Sequence, residues 1–186
     1  GFFLPKILKG EIHFCIGYSE PGAGTDLAAL RTRADRDGDE YVVNGQKMWT
    51  SLASDADYIW LAVRTNQEAK KHKGISLFVI PMDTPGIKVV PIHVMGESNI
   101  NQTFFEDVRV PATMRVGEEN AGWQIITNQL NHERVTLCSS GIVERSLQDV
   151  RAWAQQTTRP DGRRVIDQEW VQLNLARVHA RLEFLR

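Results

Sequence analysis

A chain of 186 residues, 42% of them hydrophobic and 24% charged, can hold one domain or a domain plus part of another, and its apolar content argues against global disorder. With 22 basic and 23 acidic residues the formal net charge is -1, so nothing indicates a nucleic-acid partner or an anionic membrane surface. No apolar run approaches the roughly 20 residues that span a bilayer, and we expect a cytoplasmic protein with no membrane span.

The first part of the sequence carries β-type patterns. Residues 11–16 alternate polar and apolar side chains, as a half-buried strand does. Asn44 and Gly45 form the strongest hairpin signal, because both tolerate positive φ. Strands spaced this closely between about residues 11 and 115 predict an antiparallel β-sandwich or barrel-like domain. Further strands are predicted at 58–64, 75–80, 87–94 and 103–110.

After about Gly117 the pattern becomes helical. Residues 121–156 contain no proline and follow acidic residues that suit a helix N-terminus, which predicts one long helix. Residues 157–162 are a predicted loop, and 168–186 a second amphipathic helix. Because the sequence stops inside that helix without a capping signal, we expect it to be part of a longer protein. The predicted fold class is α+β, a β-domain followed by long α-helices of a helical bundle.

Cysteine and histidine usage gives no sign of a metal site. Cys15 and Cys138 are far apart and show no metal-like spacing, and no two of the five histidines have ligand spacing. We expect two reduced thiols, as in a cytosolic protein, although a disulfide between them stays open.

The loop at residues 19–26 is the first candidate binding segment and reads Ser-Glu-Pro-Gly-Ala-Gly-Thr-Asp. Its proline fixes φ, and its two glycines allow a tight path and a close approach of backbone to a ligand. With the hydroxyls of Ser19 and Thr25, the loop could offer several donors to an anionic or carbonyl-rich cofactor. It is neither a Walker loop nor G-x-G-x-x-G, and a plain turn is the alternative.

Residues 47–51, Lys-Met-Trp-Thr-Ser, form the second candidate segment. A tryptophan beside hydroxyl residues at a strand end can pack on a flat ring and hydrogen-bond its edge. The alternative is a core tryptophan with a satisfied polar neighbour.

Glu133 is the candidate acid or base. It lies three residues after Leu130, four before Leu137 and seven after Ile126, so at 100° per residue its carboxylate falls inside the apolar stripe of the predicted helix. Desolvation there would raise its pKa toward the range of a general base. An ion pair with Arg134 or a wet helix face are the alternatives. The stripe contains Trp123, Ile126, Leu130, Leu137 and Gly141.

Five segments in this order resemble the acyl-CoA dehydrogenase family. They read Tyr-Ser-Glu-Pro-Gly-Ala-Gly-Thr-Asp at 18–26, Tyr-Val-Val-Asn-Gly-Gln-Lys-Met-Trp-Thr-Ser at 41–51, Gly-Ile-Ser-Leu-Phe-Val-Ile-Pro at 74–81, Phe-Phe-Glu-Asp-Val-Arg-Val-Pro at 104–111 and Asn-Ala-Gly-Trp at 120–123. The resemblance covers roughly residues 11–157 and weakens beyond them. It implies that 1–10 end an N-terminal helical domain or are a linker, that 11–116 are the middle β-domain, and that 117–186 begin the C-terminal helical domain.

The resemblance also implies the site residues. Substrate contacts are implied at Thr25, Leu130, Asn131 and Arg134. Thr50-Ser51 stands where many relatives have Ile-Thr, so the hydroxyl is kept. The residues implied to bind FAD are Ile16, Tyr18, Ser19, Gly24, Thr25, Trp49, Thr50 and Ser51.

The catalytic base of this family is a glutamate found at one of two places. Residues 131–134, Asn-His-Glu-Arg, resemble the arrangement on the first long helix, which implies Glu133 as base and Arg134 as a structural or substrate-placing residue. The other place, late in the C-terminal domain, stays open.

The implied activity is α,β-desaturation of an acyl-CoA, with electrons passed to an electron-transfer flavoprotein by a homo- or heterotetramer. The alternatives are an acyl-CoA oxidase or flavin monooxygenase on the same scaffold, and a non-catalytic partner subunit. One departure is the stretch 157–163, where relatives carry Arg-x-x-Phe-Gly and this sequence has no Phe-Gly.

Overall fold

The structure is a computed structural model that describes residues 1–96, 99–137 and 139–185. Over these residues the chain forms eight strands and four α-helices. The strands are β1 (Phe14–Gly17), β2 (Arg33–Asp37), β3 (Glu40–Ser51), β4 (Tyr58–Arg64), β5 (Ile75–Pro81), β6 (Ile87–Pro91), β7 (Ile100–Pro111) and β8 (Arg115–Val116). The helices are α1 (Phe3–Leu8), α2 (Gly122–Leu137), α3 (Gly141–Gln156) and α4 (Glu169–Leu185).

The strands form one sheet in the order β6-β7-β3-β2-β4-β5-β8, with β1 paired to β4. A sheet domain followed by long helices confirms the predicted α+β fold class. Most pairings are antiparallel, but β1 and β2 each pair with β4 in parallel, which the sequence did not predict. Parallel neighbouring strands are joined by a long crossover connection, so no turn motif in the local sequence predicts their pairing.

The core lies on the faces of β3, β4 and β5. β5 is buried along nearly its whole length, as its continuous apolar run predicts, whereas β4 begins with alternating burial. The rings of Tyr41 and Phe78 meet edge to face with centroids 4.9 Å apart.

Cys15 belongs to this core. Its thiol is 2% exposed and lies 3.8 Å from the Met82 sulfur, and burial raises its pKa to about 12. The prediction for the second cysteine, Cys138, lies outside the described residues.

The predicted hairpin at Asn44 and Gly45 is wrong. Both residues lie inside β3, and the chain reverses earlier, between Asp37 at the end of β2 and Glu40 at the start of β3. The register of β3 against β7 shifts at this point, so the pair forms a β-bulge rather than a turn.

Long-range contacts explain why this signal fails. The side-chain amide N–H of Asn44 donates to Asp107 Oδ1 at 3.0 Å, and Asn44 Oδ1 accepts a hydrogen bond from the backbone N–H of Asp107 at 2.9 Å. Gly45 has φ +150°, and a Cβ there would lie 2.7 Å from the Cα of Thr32. The asparagine therefore binds the neighbouring strand, and the glycine permits a close backbone approach.

The chain divides into two compact units, residues 1–128 and 129–186, and the division falls within α2. In the second unit α3 packs on α4. The single helix predicted for 121–156 is wrong, because α2 ends at Leu137 and α3 begins at Gly141. At the start of α3 the Ser140 hydroxyl donates to the Glu144 carboxylate at 2.6 Å, and the Glu144 N–H donates to the Ser140 carbonyl oxygen at 2.9 Å.

Candidate functional site

The loop of residues 19–26 lies directly against β3. The backbone N–H of Met48 donates to the carbonyl oxygen of Ser19 at 2.8 Å. Within the loop, Glu20 and Ala23 exchange backbone hydrogen bonds of 3.3 and 3.1 Å, which closes a tight turn around its Pro-Gly pair. The structure therefore brings the two candidate segments together, although residues 27–46 separate them in sequence.

A buried ion pair joins the same two segments. The Lys47 ammonium is fully buried and donates to Glu20 Oε1 at 2.8 Å and to the Tyr18 carbonyl oxygen at 3.2 Å. Complete burial lowers the pKa of Lys47 to about 8, against the opposing attraction of Glu20. Burial alone would raise the pKa of Glu20, but the charge and hydrogen bond of Lys47, with two backbone N–H donors, hold it below its ordinary value.

Trp49 occupies an irregular position in β3. Its φ is +62°, in the left-handed region that non-glycine residues rarely adopt, and its side chain is 55% exposed. The register of β3 against β7 shifts between Lys47 and Thr50, so Met48 and Trp49 form a bulge. The bulge presents an indole ring at the surface, which removes the alternative of a core tryptophan.

The two hydroxyls after Trp49 face different environments. Ser51 is exposed, whereas Thr50 is 1% exposed and its hydroxyl has no hydrogen-bond partner among the described residues. Of the two residues predicted to bind the cofactor, only Ser51 can offer its side chain to a ligand at the surface.

The remaining predicted cofactor residues divide in the same way. Ile16 on β1, Gly24 and Thr25 are exposed, and Ser19 is half-buried. Tyr18 is buried, and its hydroxyl oxygen accepts a hydrogen bond from the Trp60 indole N–H at 2.9 Å, so its side chain packs the core beneath the loop.

The predicted base and substrate residues lie on the second half of α2. Glu133, Asn131 and Arg134 are exposed, and Leu130 is half-buried. Arg134 donates to Asn131 Oδ1 at 3.3 Å. Glu133 is exposed within the second unit, so of the sequence interpretations the structure agrees with a solvent-exposed helix face rather than a buried carboxylate. The assignment of Glu133 as base stays a prediction.

Sequence reasoning missed two charged residues at this site. Glu20 was read only as part of a turn, yet it binds Lys47. Arg64, at the end of β4, donates to the carbonyl oxygens of Ala28 at 2.5 Å and Leu30 at 3.3 Å, and so holds the chain that follows the loop. The available signal for the buried pair was the position of Lys47 in the strand. Lys47 lies on the same buried face of β3 as Val43 and Tyr41, and a buried lysine usually has a partner.

Comparison with known proteins identifies the family. Residues 15–108 match the acyl-CoA dehydrogenase middle domain, and residues 120–186 match the acyl-CoA dehydrogenase C-terminal domain. The chain belongs to the acyl-CoA dehydrogenase family. In the described part of the chain, no helix combines the length and apolar character needed to cross a membrane.

Several relatives are similar over nearly the whole chain. Acyl-CoA dehydrogenase FadE26 of Mycobacterium tuberculosis is 61% identical over 188 residues, which cover 100% of this chain and 47% of that protein. Acyl-CoA dehydrogenase FadE29 of the same organism is 52% identical over 181 residues, covering 96% and 46%. The chain thus spans about half the length of the curated relatives it matches.

Solved structures show the same fold. The crystal structure of the ChsE4–ChsE5 complex from Mycobacterium tuberculosis matches with a TM-score of 0.85 at 61% identity, covering 98% of this chain and 48% of that chain. The Tcur3481–Tcur3483 steroid ACAD matches with a TM-score of 0.85 at 52% identity, covering 97% and 46%.

Proposed function

We propose that this chain is part of an FAD-dependent acyl-CoA dehydrogenase, which introduces a double bond between the α and β carbons of an acyl-CoA thioester. The observation that carries the proposal is the direct contact between the two flavin-type segments, the hydrogen bond from Met48 to Ser19. Family membership alone leaves open whether the local geometry of a flavin site is kept. The contact between the loop and the strand supports a flavin site at this position.

The residues at this contact fit a flavin. A carbon added at Gly24 meets nothing within 4 Å, so the outer side of the loop is open to a ligand. The Trp49 ring is half-exposed beside the exposed Ser51 hydroxyl, which supplies a flat apolar surface and a hydrogen-bonding group together. Bound FAD supplies the acceptor for the two electrons that leave the β carbon as hydride.

Glu133 is the proposed base. Its carboxylate takes the α-proton of the thioester, and the electron pair left at the α carbon forms the new double bond as hydride leaves the β carbon. Thr25, Leu130, Asn131 and Arg134 are proposed to contact the acyl-CoA. Negative charge develops on the thioester oxygen and needs hydrogen-bond donors, since the α-proton is weakly acidic.

An absorption spectrum of the native protein tests this function. We expect flavin absorbance that bleaches when a saturated acyl-CoA is added without oxygen, together with a product lighter by two hydrogens. Absence of flavin, and failure to take up added FAD, would contradict the proposal. Slow reoxidation by oxygen and fast reoxidation by an electron-transfer flavoprotein distinguish a dehydrogenase, whereas rapid reoxidation with peroxide release identifies an oxidase.

A second proposal concerns the assembly and substrate class. Two of the similar solved structures are complexes of two named chains, and one of them is called a steroid ACAD. We propose that the native protein is a heterotetramer acting on a CoA thioester linked to a steroid. Residues 157–165, where this sequence lacks the Phe-Gly of its relatives, form a closed hairpin in which the Val165 N–H donates to the Thr157 carbonyl oxygen at 2.9 Å.

Native mass spectrometry tests the assembly. Two different chains in equal amounts support the heteromer, and four identical chains contradict it. Steady-state rates with steroid-linked and straight-chain acyl-CoA of equal side-chain length test the substrate, and a higher kcat/KM for the straight chain would contradict the steroid preference.

A further inference from the structure

The proposed chemistry does not use the buried pair of Lys47 and Glu20. A lysine with no exposed surface is rare, because removing an ammonium from water is costly unless it is paired and hydrogen-bonded. Replacing such a pair by apolar side chains is often neutral or stabilising, so stability alone is weak reason for its presence. Its position between two flavin-type segments indicates another role.

Both carboxylate oxygens of Glu20 have partners. Oε1 accepts hydrogen bonds from the Lys47 ammonium at 2.8 Å and from the Thr32 N–H at 2.9 Å. Oε2 accepts the Arg31 N–H at 2.7 Å. One side chain therefore connects the beginning of the loop, the segment that follows it 11 to 12 residues later, and strand β3.

Lys47 holds the other side of the contact. It is the last residue of β3 in regular register before the bulge of Met48 and Trp49, and the buried Thr50 is the first residue after it. A left-handed backbone at a tryptophan persists only where its surroundings over-determine it. Anchors with at most 1% exposure on both sides of the bulge meet that condition.

We infer that Lys47 and Glu20 are a positioning pair, which fixes the loop of residues 19–26 and the Trp49 bulge in one mutual arrangement for the flavin. This inference rests on the proposed function. Neither side chain contacts the reacting atoms, and the pair acts through the backbone of Ser19 and the indole of Trp49.

A second lysine–carboxylate pair at the same loop provides the control. Lys71 and Asp26 lie 2.5 Å apart, but their side chains are 64% and 51% exposed. Exposed pairs contribute little, and this pair does not touch the bulge. If any ion pair near the loop were enough to affect flavin binding, removal of either pair would change the Kd for FAD to the same extent.

The experiment compares Lys47→Met, the double variant Lys47→Met/Glu20→Gln, and Lys71→Met in the native protein. Three quantities are measured for each: the Kd for FAD added to apoprotein, the visible circular dichroism of bound flavin, and the flavin reduction potential. The double variant leaves no buried charge unpaired, so we expect it to fold. We expect its Kd for FAD to rise at least about 10-fold with an altered flavin dichroism, and Lys71→Met to stay within about twofold of wild type.

A folded double variant with wild-type affinity, dichroism and potential would overturn the inference. Amide exchange in the unmodified protein gives an independent check. We expect the amides of Met48, Arg31 and Thr32 to open together, with equal protection, because one ion pair holds all three segments. Exchange of Met48 independently of Arg31 and Thr32 would also overturn it. The flavin content of wild type reports on the proposed function, and so the two failures are distinguishable.

Discussion

Residues 19–51 and residues 129–137 both carry family motifs, but the chain holds them in different ways. In the first region the loop, the bulge and their buried ion pair are fixed by contacts inside one compact unit. In the second region Glu133 and its neighbours are exposed on a helix, and the only side-chain hydrogen bond shown among Asn131, Glu133 and Arg134 in the described residues is that between Arg134 and Asn131. The residues of the first region are held by contacts within the first unit, whereas Glu133 is exposed on the surface of a helix.

This difference separates two kinds of motif. The five-residue segment 47–51 contains both Trp49, which is proposed to face the flavin, and the buried Lys47, which is proposed to hold it in place. The Glu-Arg motif specifies only the residue that would react. Substitutions in the two regions should therefore change different observables, stability and flavin affinity in the first and turnover in the second.

The largest effect is expected from Glu133→Gln in the native protein. Loss of a general base costs about 10²- to 10⁴-fold in rate, so kcat should fall by that factor. The Kd for FAD and the thermal unfolding midpoint should not change, because the side chain is exposed. Glu169→Gln, an exposed glutamate in the first turn of α4, is the matched control and should keep full activity. Wild-type turnover of Glu133→Gln would place the base elsewhere.

A smaller effect, on stability, is expected from Gly45→Ala. The new Cβ would lie 2.7 Å from the Thr32 Cα, and the alanine would have to adopt a φ of +150°. β3 and the residue just before β2 must therefore move apart. We expect a loss of about 1–3 kcal/mol in the free energy of unfolding, measured by urea titration. Gly38→Ala has a φ of +60° but no atom within 4 Å, and it should lose less. Equal losses for the two variants would contradict the close approach.

Acid should weaken the first region through Glu20. Its pKa lies below the ordinary value of 4.5 in the folded protein, so the unfolded chain takes up a proton first as the pH falls. The contribution of Glu20 is complete above pH 4.5 and is lost as the pH falls through the folded pKa. Urea titrations between pH 7 and pH 3 should show a flatter acid limb in the double variant Lys47→Met/Glu20→Gln, which leaves no buried charge unpaired, than in wild type. Parallel limbs would contradict the role of this carboxylate.

The smallest effect is expected from Thr50→Val. The Thr50 hydroxyl is buried without a partner among the described residues, so removing it should leave the free energy of unfolding unchanged or raise it by up to about 1 kcal/mol. Thr65→Val should have the opposite sign, because the Thr65 hydroxyl bonds to Ser76 at 2.7 Å and Asn120 at 2.8 Å. A loss in Thr50→Val as large as in Thr65→Val would show that the Thr50 hydroxyl is hydrogen-bonded.

Local patterns predicted two of the central strands well. The runs at 58–64 and 75–80 became β4 and β5 almost residue for residue, because their apolar sequence is continuous enough to be read without partners.

Features that depend on distant partners were not predictable. Asn44 and Gly45 look like a turn until Asp107 and Thr32 are placed beside them. The ion pair joins residues 27 positions apart, and periodicity carries no information about such a contact. The sequence left open whether Glu133 is buried or exposed for a related reason: helical spacing gives the side of a helix, but not what covers that side.

Cys15 has a practical consequence for experiments on the assembled protein. Only a thiolate reacts with alkylating reagents, so the buried Cys15 thiol, with a pKa raised to about 12, does not react while the sheet keeps it buried. Its alkylation, followed by mass spectrometry of the peptide containing residue 15, therefore reports how often the β-sheet core opens under native conditions. The same measurement with and without bound flavin would give the stabilisation that the cofactor confers, without heat or denaturant.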